Sequence, residues 1–400
     1  MFRNRYVRTI VVSRILLQLG IWIRNFAILL FVTDMTSNDP QAVSLISVVE
    51  YAPIFIFGIV GGTFADRWRP KRTMVWCDVL SSLSAVVVLI TLIYGPWYSV
   101  LLGTLVSAVF SQFSQPSAMK LFKQHVPGEE LQGVMAMFQT MVAVFMVIGP
   151  MIGTIIYQNY GIEVSLAITA GMFLLSGWVL SSLPKDGVES VSSQRTSFRS
   201  ELAEGFRYVY GNIALRTLVM TFAVTGLASG LIQPLMLFVA IDNLGQDKTF
   251  LQWLLMVNGV AMLVGGAFIM SAAKKIQPQV LLALGLFVSA LGTVVMGWSE
   301  NVVITMVTQL ITGFFYPWIH VGIQMMIMTN TKGAFIGRVG GAVTPVFMGM
   351  TVIAMSIAGY MMHHFSLLTV FTVSGVLFLA GALILGPLLP KRRKVGSVTG

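Results

Sequence analysis

Twelve apolar runs, each long enough to cross a hydrocarbon layer, divide this chain and leave it few folds. They cover about residues 9–33, 42–64, 74–95, 97–117, 132–157, 162–183, 214–241, 249–272, 277–298, 301–328, 335–361 and 366–389. A helix rises ~1.5 Å per residue, so roughly 20 apolar residues match a bilayer core of about 30 Å. Inside lipid a helix also satisfies its own backbone groups, which an open strand cannot do. Turn signals separate the runs, as at Ser37–Pro40, Tyr94–Trp97, Gln158–Gly161 and Asp242–Gly245. The predicted fold is an all-α polytopic membrane protein with twelve transmembrane helices in two six-helix bundles.

Charge gives the orientation. A soluble domain carries about 25% charged residues, whereas this chain carries 10% beside 56% hydrophobic ones. Of its 25 Lys and Arg residues, all but Lys248, Arg14 and Arg24 fall in loops on one side of the twelve-span layout. That bias predicts that this side is cytoplasmic and that both termini lie there, in a plasma or inner membrane. The net charge of +10 therefore reports topology, and no groove-tracking basic patch points to nucleic acid. The single cysteine, Cys77, excludes an intramolecular disulfide and a cysteine metal cluster. No phosphate loop or paired catalytic set is present, so neither an enzyme site, a cofactor nor a metal is expected.

The longest polar segment splits the spans six and six. The expected units are an N-terminal bundle over 1–183, a linker with an amphipathic surface helix over 184–213, a C-terminal bundle over 214–389 and a basic tail over 390–400. Gly265-Gly266-Ala267-Phe268 repeats the Gly61-Gly62-Thr63-Phe64 that ends the second span, which suggests a duplicated unit. The loop after Gly62 then reads Asp66-Arg67-Trp68-Arg69-Pro70-Lys71-Arg72. The pattern Gly62-x-x-x-Asp66-Arg67-x-x-x-Lys71-Arg72 resembles the loop between helices 2 and 3 of the major facilitator superfamily, with Arg69 and Pro70 departing from its Gly-Arg. The resemblance implies a latch for the outward-open state, carried by Gly62, Asp66 and Arg67 with Lys71 and Arg72 as weaker members. The competing reading is that the cations only set topology.

Val126-Pro127-Gly128-Glu129-Glu130-Leu131-Gln132-Gly133 and Glu201–Tyr210 are similar to the drug-efflux branch, among the macrolide-efflux and enterobactin-exporter relatives. Gly149-Pro150-Met151-Ile152-Gly153 is similar to the end of that branch's antiporter motif, while Ala136 and Phe145 replace its earlier glycines. The resemblance implies export of amphipathic small molecules in exchange for protons by alternating access, by a monomer in contact with lipid. A dedicated exporter or flippase of one endogenous metabolite, siderophore or lipid is the competing expectation.

Buried charge and polar stripes give the candidate site. Glu50 and Arg24 fall at matching depths on antiparallel neighbours, where an unpaired charge costs at least about 2.5–3.5 kcal/mol. Glu50 is the expected proton-titrating carboxyl with Arg24 as modulator; a permanent ion pair is the alternative. Asp78 and Arg14 form a second expected set nearer the cytoplasm. Spans 1, 4, 7 and 10 carry polar side chains at helical spacing: Arg14, Gln18 and Asn25; Ser111 and Gln115; Thr225 and Gln233; Gln309, Tyr316 and His320. Such stripes avoid lipid, so they are expected to line a substrate cavity, or to glue helices within a bundle.

Overall fold

The computed structural model describes residues 4–184, 198–272 and 276–388; within these, 58–67, 94, 198–202, 271, 272 and 334 are described by backbone alone. The N-terminal half contains α1 (Arg5–Met35), α2 (Pro40–Arg67), α3 (Pro70–Tyr94), α4 (Ser99–His125) and α5 (Gly128–Ser181). The amphipathic α6 (Phe198–Gly211) follows. The C-terminal half contains α7 (Ile213–Ile232), the short α8 (Met236–Phe238), α9 (Leu251–Ala272), α10 (Pro278–Trp298), α11 (Val302–Asn330), α12 (Ile336–His364) and α13 (Leu367–Ile384).

Local chemistry sets the helix ends. Asn4, Asn212, Asn301 and Ser366 each accept a backbone N–H of the first turn of the helix they open. Proline begins α2, α3 and α10, where its missing N–H is not needed. Gly161, at φ 75° and ψ −174°, breaks α5 into two crossings at 128–160 and 162–181. Among the described residues ten helices are apolar and long enough to span a membrane. The break in α5 adds one crossing, and the more polar α4 supplies the twelfth. The seventh crossing departs from the sequence expectation: α7 stops at Ile232, and α8 and a π-helical turn at Val239–Asn243 complete the passage. Pro234 lies in that gap and cannot donate to a continuing helix.

The halves pack by one plan. In the first, α1 lies on both arms of α5, α3 on α4 and α5, and α2 on α4. In the second, α7 lies on α12 and α13, α10 on α11 and α13, and α9 on α11. The halves meet through α2 against α12 and α5 against α9. These contacts map onto one another when each span is advanced by six, the arrangement of a duplicated unit.

Cations bind one end of the N-terminal half together. Arg5 donates to the Ser182 carbonyl at 2.5 Å, Lys71 to the Ser181 carbonyl at 2.8 Å and to that of Leu183, and Asn4 to the His125 carbonyl at 2.8 Å. These contacts neutralise exposed carbonyls at helix C-termini and bring the chain start, the α2–α3 loop and the ends of α4 and α5 to one face, here the basic face. The α6 helix docks on the equivalent end of the C-terminal half. Glu204 accepts from Arg338 at 2.7 Å, Tyr208 stacks on Phe335, and Gly205 lies against the Arg338 backbone.

The opposite, far face is shut. Phe26 and Val43 of the first half share an apolar core with Leu231, Phe238, Ala358 and Leu367 of the second. Lys248 pairs with Asp34, which also accepts from the Tyr157 hydroxyl at 2.8 Å.

Candidate functional site

The mid-membrane charges form a three-residue relay. Arg24 is buried on α1 and donates through Nε and Nη2 to Asn25 Oδ1, at 3.1 and 2.9 Å. Asn25 in turn donates through Nδ2 to Glu50 Oε1 on α2, at 2.5 Å. Arg24 and Glu50 therefore share an amide instead of meeting as a direct ion pair. Neighbouring Tyr51 accepts from Gln233, at the break that ends α7, and lies within electrostatic reach of Tyr316 on α11. The carboxyl consequently sits where α1, α2 and the C-terminal half converge.

Asn25→Ala is expected to strand both charged partners. A buried charged group without its hydrogen bond costs about 1–3 kcal/mol, so the variant in detergent should melt lower than wild type. An unchanged melting temperature would show that Arg24 and Glu50 find each other unaided.

The second charged set lies two to three turns closer to the basic face. Arg14, 4% exposed, donates to the Ser114 carbonyl at 3.1 Å and its hydroxyl at 2.9 Å. Asp78, 1% exposed, accepts from Ser176 at 2.6 Å and from Ser114 at 3.4 Å. Ser114 stands between Arg14 and Asp78 as Asn25 stands between Arg24 and Glu50. Helices α1, α3, α4 and the second arm of α5 are tied together at this point.

The polar stripes divide between two environments. Gln18 and Ser111 are half-buried, and Ser111 lines an internal cavity of the N-terminal half with Glu50. Gln115, Gln233, Tyr316 and His320 are exposed, with the Tyr316 and His320 rings in edge contact at 4.8 Å. Thr225 and Gln309 depart from the cavity expectation. Thr225 is buried, bonds its own helix at Thr221, and its methyl occupies the space a side chain at Gly381 of α13 would need. Gln309 is 1% exposed and accepts from Asn258 of α9 at 2.9 Å, with its amide turned to Met236. Both join helices inside the C-terminal half. Tyr51 is the site residue that spacing did not single out; its signal was adjacency to Glu50.

Gly149 and Gly153 have a packing role. A Cβ at Gly149 would lie 2.4 Å from the Trp22 ring, and one at Gly153 would lie 2.7 Å from Phe26 and 2.8 Å from the Trp22 carbonyl. Buried Pro150 lies between them. The segment therefore seats the first arm of α5 tightly on α1, one turn from Arg24. Gly153→Val should lower the stability of the detergent-purified chain by about 1–3 kcal/mol, the usual scale of overpacking. A melt equal to wild type would overturn this packing account.

Of the latch residues, Gly62, Asp66 and Arg67 are helical in backbone, and their side chains lie outside the described residues. Lys71 binds the Ser181 and Leu183 carbonyls at the end of α5 in its own half. Arg72 lines an apolar cavity of about 550 Å³ with Trp68, Trp76 and Phe113. Among the described residues no group of three or more His, Cys, Asp or Glu side chains could hold a metal.

The comparisons agree with this architecture. The transporter YkuC of Bacillus subtilis, itself uncharacterized, is 25% identical over 87% of this chain and 83% of its own. The multidrug efflux pump Tap of Mycobacterium tuberculosis is 24% identical over 79% of this chain and 77% of its own. Macrolide efflux protein A of Streptococcus pyogenes is 21% identical over 79% of each. Among solved structures, the nucleoside transporter NupG superposes with a TM-score of 0.80 at 10% identity, covering 97% of this chain and 100% of its own. At that identity it supports the fold alone. The superfamily pattern itself matches residues 10–239 and 218–399. This chain is a polytopic transporter that belongs to the Major Facilitator Superfamily.

Proposed function

We propose that the chain exports amphipathic small molecules from the cytoplasm in exchange for protons, working as a monomer in the plasma membrane. The observation that carries this reading is Glu50, a carboxyl held between α1 and α2 beside Tyr51 and Gln233, where the two halves touch. An acid there meets both the substrate path and the surface that moves during alternating access. Burial and a nearby cation act on a carboxyl in opposite senses, so substrate arrival can release its proton. The efflux relatives, a multidrug pump and a macrolide exporter, support the substrate class. The basic face is then cytoplasmic, and a chain shut at its far face is ready to load substrate from that side.

Purified chain in proteoliposomes, with a labelled macrolide and an imposed pH gradient, tests the reading. Accumulation that follows the gradient and collapses with a protonophore is the expected result. Transport indifferent to the gradient would overturn proton antiport. Resistance to no compound of a chemically broad panel, with one metabolite building up on deletion, would overturn broad export.

A further inference from the structure

We propose that Asp78 is a second proton-carrying carboxyl, joined to Glu50 through a water-filled cavity inside the N-terminal half. This rests on the antiport reading and extends it from one acid to a pair. A cavity of about 90 Å³ lies among the helices of that half, and both Glu50 and Asp78 line it, together with Arg24, Ser107, Ser111 and Ser114. One water needs roughly 10–15 Å³ of such space, so the cavity has room for several. Its lining is polar enough to hold them. Arg24 is 5% exposed, yet its Nη1 has no protein partner. A buried guanidinium N–H is rarely left unpaired, and water in the cavity that Arg24 lines supplies the acceptor.

The surroundings of Asp78 suit a group that changes charge. Its facing charged and titratable neighbours are Arg14 from α1 and Cys77 on its own helix, while Ser114 of α4 and Ser176 of α5 donate hydrogen bonds. Glu50 is faced by Arg24 and Asn25 from α1 and by Tyr51 on its own helix. A permanent ion pair gains most from direct bidentate contact. Asp78 instead reaches Arg14 through the Ser114 hydroxyl and keeps a side on the same cavity as Glu50. Cys77 and Phe110 line both this cavity and the larger apolar one beside Arg69 and Arg72, so the two lie side by side.

The transfer is simple in its balance. With the far face shut, protonated Glu50 gives its proton to cavity water and becomes a carboxylate. That water protonates the Asp78 carboxylate, and neutral Asp78 then releases the proton towards the basic face. Only O–H bonds form and break: Asp78 returns to the carboxylate it began as, and Glu50, left as a carboxylate, regains its proton from the far side when that face opens.

Infrared difference spectroscopy of the full chain in lipid, recorded as the pH is stepped, reads both acids without a substrate. The expected spectrum contains a protonated-carboxyl band lost in Glu50→Gln and a separate band lost in Asp78→Asn. Asp78→Glu should move the second band instead of deleting it, and decides the matter if Asp78→Asn does not fold. Heavy water should shift both bands, and each variant should displace the midpoint of the other band. A spectrum without an Asp78-dependent band would overturn the relay and leave the Glu50 reading intact. A spectrum lacking the Glu50-dependent band would overturn the antiport reading, and with it the pair.

Discussion

Glu50→Gln is expected to abolish pH-driven accumulation, cutting the initial rate by about a hundredfold, the scale on which a positioned proton carrier acts. Substrate exchange between the two sides, which needs no net proton movement, should survive. The amide keeps the shape of the acid and can still accept from Asn25, so the α1–α2 contact is retained while the exchangeable proton is lost. Arg24 then loses its counter-charge, and stranding a buried cation costs about 3–5 kcal/mol when nothing replaces the partner. The cavity beside Arg24 has room for water in its stead, so the penalty should fall below that range and the chain should still fold. Counterflow and gradient-driven uptake measured on the same preparation separate the two effects. Equal gradient-driven rates in the variant and wild type would reduce Glu50 to a structural partner of Arg24.

Fold and site are legible in the sequence to different degrees. Long apolar runs are forced by the bilayer, so the crossings were readable even at α4, whose serines and Lys120 and Lys123 lower its apolar character. Gly161 announced the break in α5 through its neighbours Asn159 and Tyr160. Pro234 carried the equivalent signal in the seventh crossing, but the apolar residues on both sides masked it. Depth along a helix put Arg24 and Glu50 at one level. It could not give the angle around each axis, and that angle lets Asn25 come between them. Thr225 and Gln309 follow the cavity stripes in spacing because a packed bundle and a water-filled path both exclude lipid; periodicity cannot tell them apart. The Asp34–Lys248 pair, 214 residues apart, had no periodic trace at all.

That far-face closure makes the second large prediction. A Cβ at Gly359 of α12 would lie 2.4 Å from the Pro40 carbonyl oxygen and 2.7 Å from the Gln41 Cα, both backbone atoms of α2. Neither can swing aside as a flexible side chain would, so Gly359→Val must part the halves at the far face. Overpacking of this kind costs about 1–3 kcal/mol, and a bias of that size moves a two-state population by about 5–150-fold. Lys248→Ala acts on the same closure with less force. Its ion pair with Asp34 is partly exposed, at 20% and 48% for the two side chains, and such pairs contribute about 0–1 kcal/mol. Spin labels at Ser37 and Phe365, both exposed at the far face, with Cys77 replaced by Ala, report the separation directly. Gly359→Val should shift most of the distance distribution to longer values, Lys248→Ala only a minor fraction. Steric contact decides the order of the two effects, because a backbone overlap cannot be screened by water and a half-exposed charge pair can. A distribution unchanged by Gly359→Val would mean that the α2–α12 crossing does not govern the closure.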